Sequence, residues 1–349
     1  MRLRLFSRTF AAGIIGLCGS VFFFACTQTE GTGVVEADNA PVVMADPTVS
    51  TWTPVALHDK DETVSAFVLA KDNTLIAGTS AGPYLSYDNG HSWLPATLTE
   101  DQKAAVFSLA VDDDGELYAG LSKYGILTSS DNGKTWQLHN TGLNIGGPRS
   151  SYAILQAGAH ILKGTFESGL YKSADKGRSW EPGNNGIPLD LNSNRMVSVT
   201  QLVKNDKAVY ALTELGVRYS QDNGTEWNKP KHDGIERLGY MLSLAVKGDT
   251  LFAGVGTSGK GVYYSVDNGD SWVKAGLEEE EPYVLHVNAA GHLFAGTKDG
   301  EVYRSVNGGK NWVALSKGLP ASDGVYALFT TPDGRLLAGL NRKGIYLLQ

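Results

Sequence analysis

The chain has 349 residues, of which 30 are basic and 37 acidic, so that its formal net charge is −7. This balance argues against nucleic acid as a partner, because binding nucleic acid requires a concentrated positive field. Only two cysteines occur, Cys18 and Cys26, and both precede the region that we expect to fold. The folded part therefore has no disulfide and no zinc or redox cysteine pair, and we expect neither a cofactor nor a metal.

Residues 1–25 have the pattern of a secretory signal. Three arginines lie among the first eight residues, and an uncharged apolar stretch of 16 residues ends at Ala25. That stretch is short for a membrane span, which needs about 20 residues. The sequence Phe23-Phe24-Ala25-Cys26 resembles a bacterial lipoprotein signal, in which the cysteine is lipidated, although Phe23 stands where Leu, Val or Ile is usual. An ordinary cleaved signal is the alternative.

Residues 26–50 are predicted to be a flexible tether. The stretch Thr27–Thr48 contains two prolines and no aromatic residue, and it is rich in Thr, Gly, Ala, Asp and Val. Such a composition cannot bury enough apolar surface to fold. We therefore expect an exported protein of the bacterial cell envelope, periplasmic or on the outer surface, that meets the membrane only through its lipid anchor.

From residue 51 the chain is a repeat. Its seven tryptophans follow one another at intervals of 41, 43, 44, 47, 45 and 40 residues. Six of them close one phrase, Ser-x-Asp-x-Gly-x-Ser/Thr-Trp with occasional departures, which we call the box. A fixed period in this range indicates a repeat architecture. The box tryptophans are Trp93, Trp136, Trp180, Trp227, Trp272 and Trp312.

Each repeat has the pattern of four short antiparallel strands with glycine-rich turns. A lone four-stranded sheet exposes two apolar faces, and stacking such sheets radially buries both. The last repeat supplies three strands and stops at Leu348, whereas Trp52 has the ending of a box without a box before it. We infer that the strand near Trp52 completes the last blade. The sequence thus predicts an all-β fold, a single seven-bladed β-propeller over residues 51–349, closed by its N-terminal strand.

The box aspartates invite interpretation as catalytic or metal-binding groups. Each lies two residues before a glycine, in a turn where a carboxylate accepts hydrogen bonds from nearby amides and from the Ser or Thr of its own box. We interpret them as structural, with a calcium site as the alternative, and we expect the tryptophan rings to pack between sheets. These aspartates are Asp88, Asp131, Asp175, Asp222 and Asp267; the sixth box has Asn307, for which we expect a weaker hydrogen bond.

The box resembles the Asp-box, or BNR repeat, of sialidases, of the sortilin ectodomain, of xyloglucan-degrading hydrolases and of photosystem II assembly propellers. The resemblance covers residues 51–349 and implies a sialidase-like β-propeller with its boxes on the rim, away from the central channel. Sialidases hold a substrate carboxylate with three arginines. Their early Arg-Ile-Pro signature is absent here, because the one Ile-Pro pair, Ile187-Pro188, follows glycine.

Three arginines shortly precede the innermost strands of neighbouring repeats, at Arg149, Arg195 and Arg237. With Arg342, predicted on the same face, they could bind a carboxylate or phosphate in a bidentate manner. Alternatively, each pairs with an acid of its own loop, such as Asp190 or Glu236. Two long loops on this face, residues 138–151 and 181–195, are where we expect function to concentrate.

The sequence favours a monomeric, non-catalytic scaffold that binds a protein or a glycan on its loop-rich face. The alternative is a glycoside hydrolase acting on an acidic or complex glycan. Such an enzyme needs two carboxyl groups about 5 to 10 Å apart, and the candidates by position are Glu167, Glu214, Glu236 and Asp299. The acidic run Glu278–Glu281 is interpreted as a solvated loop.

Overall fold

The computed structural model describes residues 50–57, 61–123, 125–143, 150–191, 193–231 and 239–349. Within these residues the chain forms a ring of seven antiparallel blades, so the predicted β-propeller is confirmed. The predicted signal, the tether and Cys26 lie outside them. No helix in the described part is both long and apolar enough to cross a bilayer.

The first strand, β1, spans Trp52–Val55 and belongs to the last blade. The strands of the first three blades follow in chain order, from the channel outwards. Blade 1 contains β2 Val64–Leu69, β3 Leu75–Thr79, β4 Gly82–Ser86 and β5 Leu94–Pro95. Blade 2 contains β6 Val106–Val111, β7 Leu117–Leu121, β8 Ile126–Ser129 and β9 Gln137–His139. Blade 3 contains β10 Ser151–Ala157, β11 His160–Thr165, β12 Leu170–Ser173 and β13 Glu181–Pro182.

Between blades 3 and 4 lies an extra hairpin, β14 Leu189–Asp190 and β15 Arg195–Met196. Blade 4 contains β16 Val199–Lys204, β17 Val209–Thr213 and β18 Gly216–Ser220, and an isolated bridge from Tyr219 to Asn228 takes the place of its outer strand. Blade 5 contains β19 Met241–Lys247, β20 Thr250–Val255, β21 Gly261–Ser265 and β22 Val273–Lys274, with a 3-10 turn at Thr257–Gly259. Blade 6 contains β23 Pro282–Val287, β24 Leu293–Thr297, β25 Val302–Ser305 and β26 Val313–Ala314. Blade 7 contains β27 Val325–Thr330, β28 Leu336–Leu340 and β29 Gly344–Leu348.

The N-terminal strand closes the ring, as the incomplete last repeat predicts. β1 pairs antiparallel with β29, with Trp52 opposite Leu348, and becomes the outer strand of blade 7. The Trp52 side chain is 2% exposed, and its amide donates to the Lys317 carbonyl at 2.9 Å. The two ends of the propeller are therefore joined by a sheet ladder and by contacts to blade 6.

Glycines in the second strands set the spacing between blades. In six blades this strand carries a glycine on which the inner strand of the next blade rests, at Gly78, Gly120, Gly164, Gly254, Gly296 and Gly339. A Cβ atom added at any of them would come within 2.4 to 2.8 Å of that next strand. Blade 4 has Leu212 instead, buried between blades 4 and 5. The repeated Ala-Gly of the sequence is thus a requirement of close packing and not of a turn.

The box turns are held together by their own side chains. In the five aspartate boxes the Ser hydroxyl donates to the Asp Oδ1 at 2.6 to 2.8 Å. In the sixth, Ser305 donates to Asn307 Oδ1 at the longer distance of 3.1 Å. Partial burial alone would raise the pKa of Asp175, but hydrogen bonds from Ser179 and Ser173 outweigh it and lower that pKa to about 2. In the described residues, no group of three or more His, Cys, Asp or Glu side chains is arranged to hold a metal ion.

Trp180 and Trp227 are also held by the loop that precedes their blade, a contact that the sequence analysis missed. The Trp180 amide donates to the Thr141 carbonyl at 3.0 Å, and the Trp227 amide donates to the Asn185 carbonyl at 2.9 Å. The residue after each of these carbonyl groups is a glycine with a positive φ, 80° at Gly142 and 87° at Gly186. Their backbone lies against the tryptophan backbone, where a side chain would not fit.

One lysine is enclosed between blades 2 and 3. Lys163 is fully buried, and it stands where the other blades have alanine, at Ala77, Ala119, Ala211, Ala253, Ala295 and Ala338. Its Nζ lies 5.9 Å from the ring centroids of both Tyr171 and Trp180, and it has no hydrogen-bond partner in the described residues. Burial lowers the pKa of this ammonium group to about 7.

We expect Lys163→Met to stabilise the fold at neutral and acidic pH. Because the folded pKa of about 7 lies below the ordinary 10.5, the unfolded chain binds the proton more tightly, and wild-type stability rises with pH between these values. The cost of charging Lys163 is fully present below pH 7, at about 1.4 kcal/mol per pKa unit. Denaturant unfolding at a series of pH values should show a gain of several kcal/mol at pH 6 that disappears near pH 10. Exposed Lys134→Met is the matched control, and an equal gain in both variants would contradict the assignment.

Trp180→Ala should lower the free energy of unfolding by about 3 to 5 kcal/mol, the usual cost of deleting a buried aromatic ring. The ring is 4% exposed and packs in the cluster between blades 2 and 3. Trp312→Ala is the comparison, because that ring is only half-buried, and its loss should be smaller. A melting temperature unchanged by Trp180→Ala would refute the packing role of the tryptophan.

Candidate functional site

The connections between blades and the turns between second and third strands lie at one end of the ring, which we call the upper face. The box turns and the turns between first and second strands lie at the other end, the lower face. Of the four predicted site arginines, Arg149 and Arg237 lie outside the described residues. Arg195 lies on β15, and Arg342 lies in the turn between β28 and β29, both on the upper face.

The long connection between blades 3 and 4 is an ordered hairpin. Leu189 pairs with Met196 and Asp190 with Arg195, and the Val197 amide donates to the Pro188 carbonyl at 3.3 Å. At its turn, Ser193 donates to Asp190 Oδ2 at 2.6 Å, and Asn194 takes a positive φ of 53°, which asparagine tolerates well. Arg195 is thus presented by a strand and not by an irregular loop.

Arg195 forms an ion pair with Glu167. Its Nη1 contacts Glu167 Oε2, and the side chains are 55% and 29% exposed, respectively. Glu167 belongs to the turn between β11 and β12, outside the loop of Arg195, and its amide donates a hydrogen bond to the Ser198 hydroxyl oxygen at 3.0 Å. An ion pair this exposed contributes little stability, so a ligand carboxylate can compete for the guanidinium at low cost.

Arg342 lies on the other side of the ring, in blade 7. Its side chain is exposed, and its amide donates to Thr63 Oγ1 at 3.1 Å. It is near Tyr326, whose pKa is raised to about 12, first by burial and then by Tyr283 and Asp323, while Arg342 partly opposes this rise. Arg195 and Arg342 therefore have different neighbours and do not form one cluster by themselves.

The acidic run Glu278–Glu281 is solvated only in its first half. Glu278 and Glu279 are exposed, as the interpretation of a solvated loop expects, whereas Glu280 and Glu281 are partly buried. Glu281 is 14% exposed and bridges two blades, with Lys260 of blade 5 at 3.1 Å and Lys298 of blade 6 at 3.4 Å. Glu280 accepts a hydrogen bond from the Tyr303 hydroxyl at 2.9 Å. Burial would raise the pKa of Glu281, but the two lysines bring it below its usual range, so this end of the run joins blades 5 and 6 through turns that sequence patterns do not connect.

At the upper end of the channel, the inner strand of every blade has a β-bulge. In every blade the pairing of the inner strand with the second strand shifts by one residue near its upper end. Such a bulge turns its side chain away from the ladder. The seven bulge residues are Ser65, Phe107, Tyr152, Thr200, Leu242, Tyr283 and Tyr326.

These seven residues are uncharged, and four are aromatic. Phe107 and Tyr152 of blades 2 and 3 stack with ring centroids 5.1 Å apart. Tyr283 and Tyr326 of blades 6 and 7 stack at 5.9 Å. No carboxylate stands at this level of the described inner strands, so the acids of an enzyme would have to come from the loops.

The carboxylates that the sequence proposes for a hydrolase are either paired with arginine, exposed in turns, or outside the described residues. Glu167 pairs with Arg195, Glu214 and Asp299 are exposed in upper turns, and Glu236 lies outside the described residues.

A second tyrosine–glutamate hydrogen bond, besides that of Tyr303 with Glu280, is buried. The Tyr84 hydroxyl donates to Glu62 Oε1 at 2.7 Å, and both residues are 4% exposed. The bond joins the connection from blade 7 to the third strand of blade 1.

Exposed apolar side chains mark the upper face over blades 3 to 5, which sequence analysis did not anticipate. Leu189 is 41% exposed and Leu191 is 88% exposed, both at the hairpin. Leu215, in the turn of blade 4, is 45% exposed, and Tyr240, at the entry to blade 5, is 69% exposed. All four residues belong to connections or turns of the upper face, where exposed apolar side chains can take part in an interaction site.

The lower face has a cavity of about 820 Å³ at the channel mouth. Its charged lining residues are Lys204, Lys207, Lys247, Asp113 and Asp206. Lys207 pairs with Asp249 at 2.5 Å, and Lys247 donates to the Gly291 carbonyl at 2.8 Å. The two acids of the lining offset the charges of the two remaining lysines. The cavity therefore has no clear preference for one charge.

Comparison with known proteins supports the fold and gives two functional directions. No protein-family model matches the chain. A xyloglucanase of a Paenibacillus species is 32% identical over 161 residues, which are 44% of this chain but 15% of that protein. The structure of a GH74 xyloglucanase from Xanthomonas campestris is 17% identical with a TM-score of 0.64, and the match covers 85% of this chain and 53% of that one. The structure of YCF48 bound to D1 peptide is 16% identical with a TM-score of 0.66, and covers 88% and 98% of the two chains.

The chain thus spans about half of that xyloglucanase structure and a small part of the Paenibacillus enzyme, whereas it matches nearly all of YCF48. Structural likeness at these identities establishes the fold alone. The chain is a seven-bladed β-propeller similar in fold to xyloglucanases and to a peptide-bound propeller.

Proposed function

We propose that the protein is an exported, non-catalytic propeller that binds a protein or glycan partner through its upper face. The observation that carries this proposal is the ordered hairpin β14–β15, which presents Arg195 and two exposed leucines on the same face of the ring as exposed Leu215 and Tyr240. A rigid ring with function-bearing loops at one end is a common arrangement for binding. The full-length match to a propeller that was solved with a peptide agrees with it.

A lipid anchor at Cys26 completes the proposal. The apolar stretch that precedes Cys26 and the polar tether that follows it support attachment to the cell envelope, with the propeller held away from the membrane. This part rests on the sequence alone.

A glycoside hydrolase is the second candidate, and the 32% identity to a xyloglucanase over 161 residues favours it. Against it stand the seven uncharged bulge residues of the described inner strands. The shared stretch covers less than half of this chain, which fits a common blade architecture as well as a common activity.

Binding without turnover is the expected result of a glycan-array and acidic-sugar hydrolysis screen of the full-length protein in detergent. The triple variant Arg149→Ala, Arg195→Ala, Arg237→Ala should lose any glycan bound through its acidic groups, because the guanidinium partners are gone. Arg178→Ala, in a lower-face box, is the matched control and should bind normally. Hydrolysis that is lost in the triple variant would assign the protein to the hydrolases instead.

Cys26→Ser should abolish lipidation. In a bacterial host, metabolic labelling with a fatty-acid probe should mark the wild type and not the variant, and the variant should move from the membrane to the soluble fraction. Ser20, within the apolar stretch, offers the control Ser20→Ala, which should be labelled normally. An unlabelled wild type would leave an ordinary cleaved signal as the correct interpretation.

A further inference from the structure

The hairpin between blades 3 and 4 leaves one strand edge open. In an antiparallel ladder, hydrogen-bonded pairs alternate with non-bonded ones. Because Val197 donates to Pro188, Pro188–Val197 and Asp190–Arg195 are the bonded pairs. The amide and carbonyl of Leu189 therefore point out of the hairpin, and they have no backbone partner in the described residues.

The open edge belongs to β14 and not to β15. The strand that follows β15 is covered, because Gly169 of blade 3 donates to the Val197 carbonyl at 3.1 Å. Met196 likewise packs against the buried cluster between blades 3 and 4. β14 is held from one side only, and its leucines are left in water.

These leucines cost the isolated protein solvation free energy. Leu189 and Leu191 are 41% and 88% exposed, and Leu215 at 45% and Tyr240 at 69% lie on the same face over the next two blades. Removing such apolar side chains from water is favourable. A ligand that covers the edge and the leucines together would form hydrogen bonds with the Leu189 backbone groups and would also bury the apolar side chains.

The geometry points to an extended polypeptide as the occupant: we propose that β14 binds a partner segment of alternating apolar residues, which adds to the hairpin as a third strand. This inference rests on the proposed binding function and names the class of partner. An extended polypeptide backbone offers a donor and an acceptor at the spacing of the Leu189 amide and carbonyl, as in the addition of a strand to a sheet edge. Alternate side chains of the added strand would then lie on the leucines.

The charges around the hairpin disfavour a bilayer as the occupant. Arg195 is neutralised by Glu167, exposed Glu214 precedes Leu215, and the chain has a net charge of −7. Anionic lipid surfaces attract clusters of unpaired basic residues, and the described residues of this hairpin offer none.

The test selects peptides from a random displayed library on the full-length protein in detergent, and then measures the affinity of the enriched peptides. We expect alternating apolar sequences whose affinity falls at least about tenfold, or about 1.4 kcal/mol, in Leu189→Ser, Leu191→Ser. The matched control is Leu94→Ser, which removes a leucine that is 60% exposed on the outer strand of blade 1. Two further readouts are specific to strand pairing: N-methylation of alternate peptide amides should abolish binding, and the Leu189 amide should become protected from hydrogen exchange.

Several results would overturn the inference. Equal affinity in the double leucine variant would exclude the β14 edge. Binding to phosphatidylglycerol vesicles that disappears in the double variant would replace the peptide by a membrane, and a concentration-dependent dimer that disappears would replace it by a second copy. A peptide that depends on the arginine triple variant but not on the leucines would leave the proposed function standing and this inference refuted. Peptides whose affinity is the same in the wild type, the arginine triple variant and the double leucine variant would refute both the proposed upper-face function and this inference.

Discussion

The fold depends on covering both apolar faces of every blade. A four-stranded sheet in this protein has buried residues on each side, so it is stable only between two neighbours. A row of seven such sheets would still have two uncovered ends, and the pairing of β1 with β29 removes them. Trp52 belongs to the outer strand of blade 7, and it also contacts the connection that follows blade 6. The closure therefore links the two chain ends of the propeller and fixes the geometry of every other interface.

Within the closed ring, the distance between blades is set by very small residues. The glycine of each second strand lets the next inner strand approach until backbone and side chain touch. The places where the repeat departs from this rule are the places where the ring becomes asymmetric. In blade 4, Leu212 replaces the glycine and fills space between blades 4 and 5. In blade 3, Lys163 replaces the alanine of the other blades and places a buried amine there. The extra hairpin and the exposed apolar residues lie over these same central blades.

The period and the box predicted the architecture because they are local and repeated. A turn such as Ser86 to Trp93 makes its hydrogen bonds within eight residues, so its pattern is visible in the sequence, and six copies remove ambiguity. The missing box of the last repeat even predicted the closing strand. The lysine partners of Glu281 could not be predicted, since they come from turns of two blades. The Glu167 partner of Arg195 was missed for the same reason: the two residues are brought together by the hairpin, whose pairing is set by tertiary context and not by a repeated motif.

The same distinction explains why the architecture says so little about the ligand. Residues shared by all blades, such as the box aspartates and the second-strand glycines, are committed to holding the ring, and their hydrogen bonds and contacts are already satisfied within it. A partner can be recognised only by what the blades do not share. On the upper face these unshared features are the hairpin β14–β15, the leucines at its tip and the exposed Arg195–Glu167 pair. Because the ring beneath them is rigid and the ion pair is weakly held, a partner would have little to reorganise on binding, which lowers the entropic cost of association.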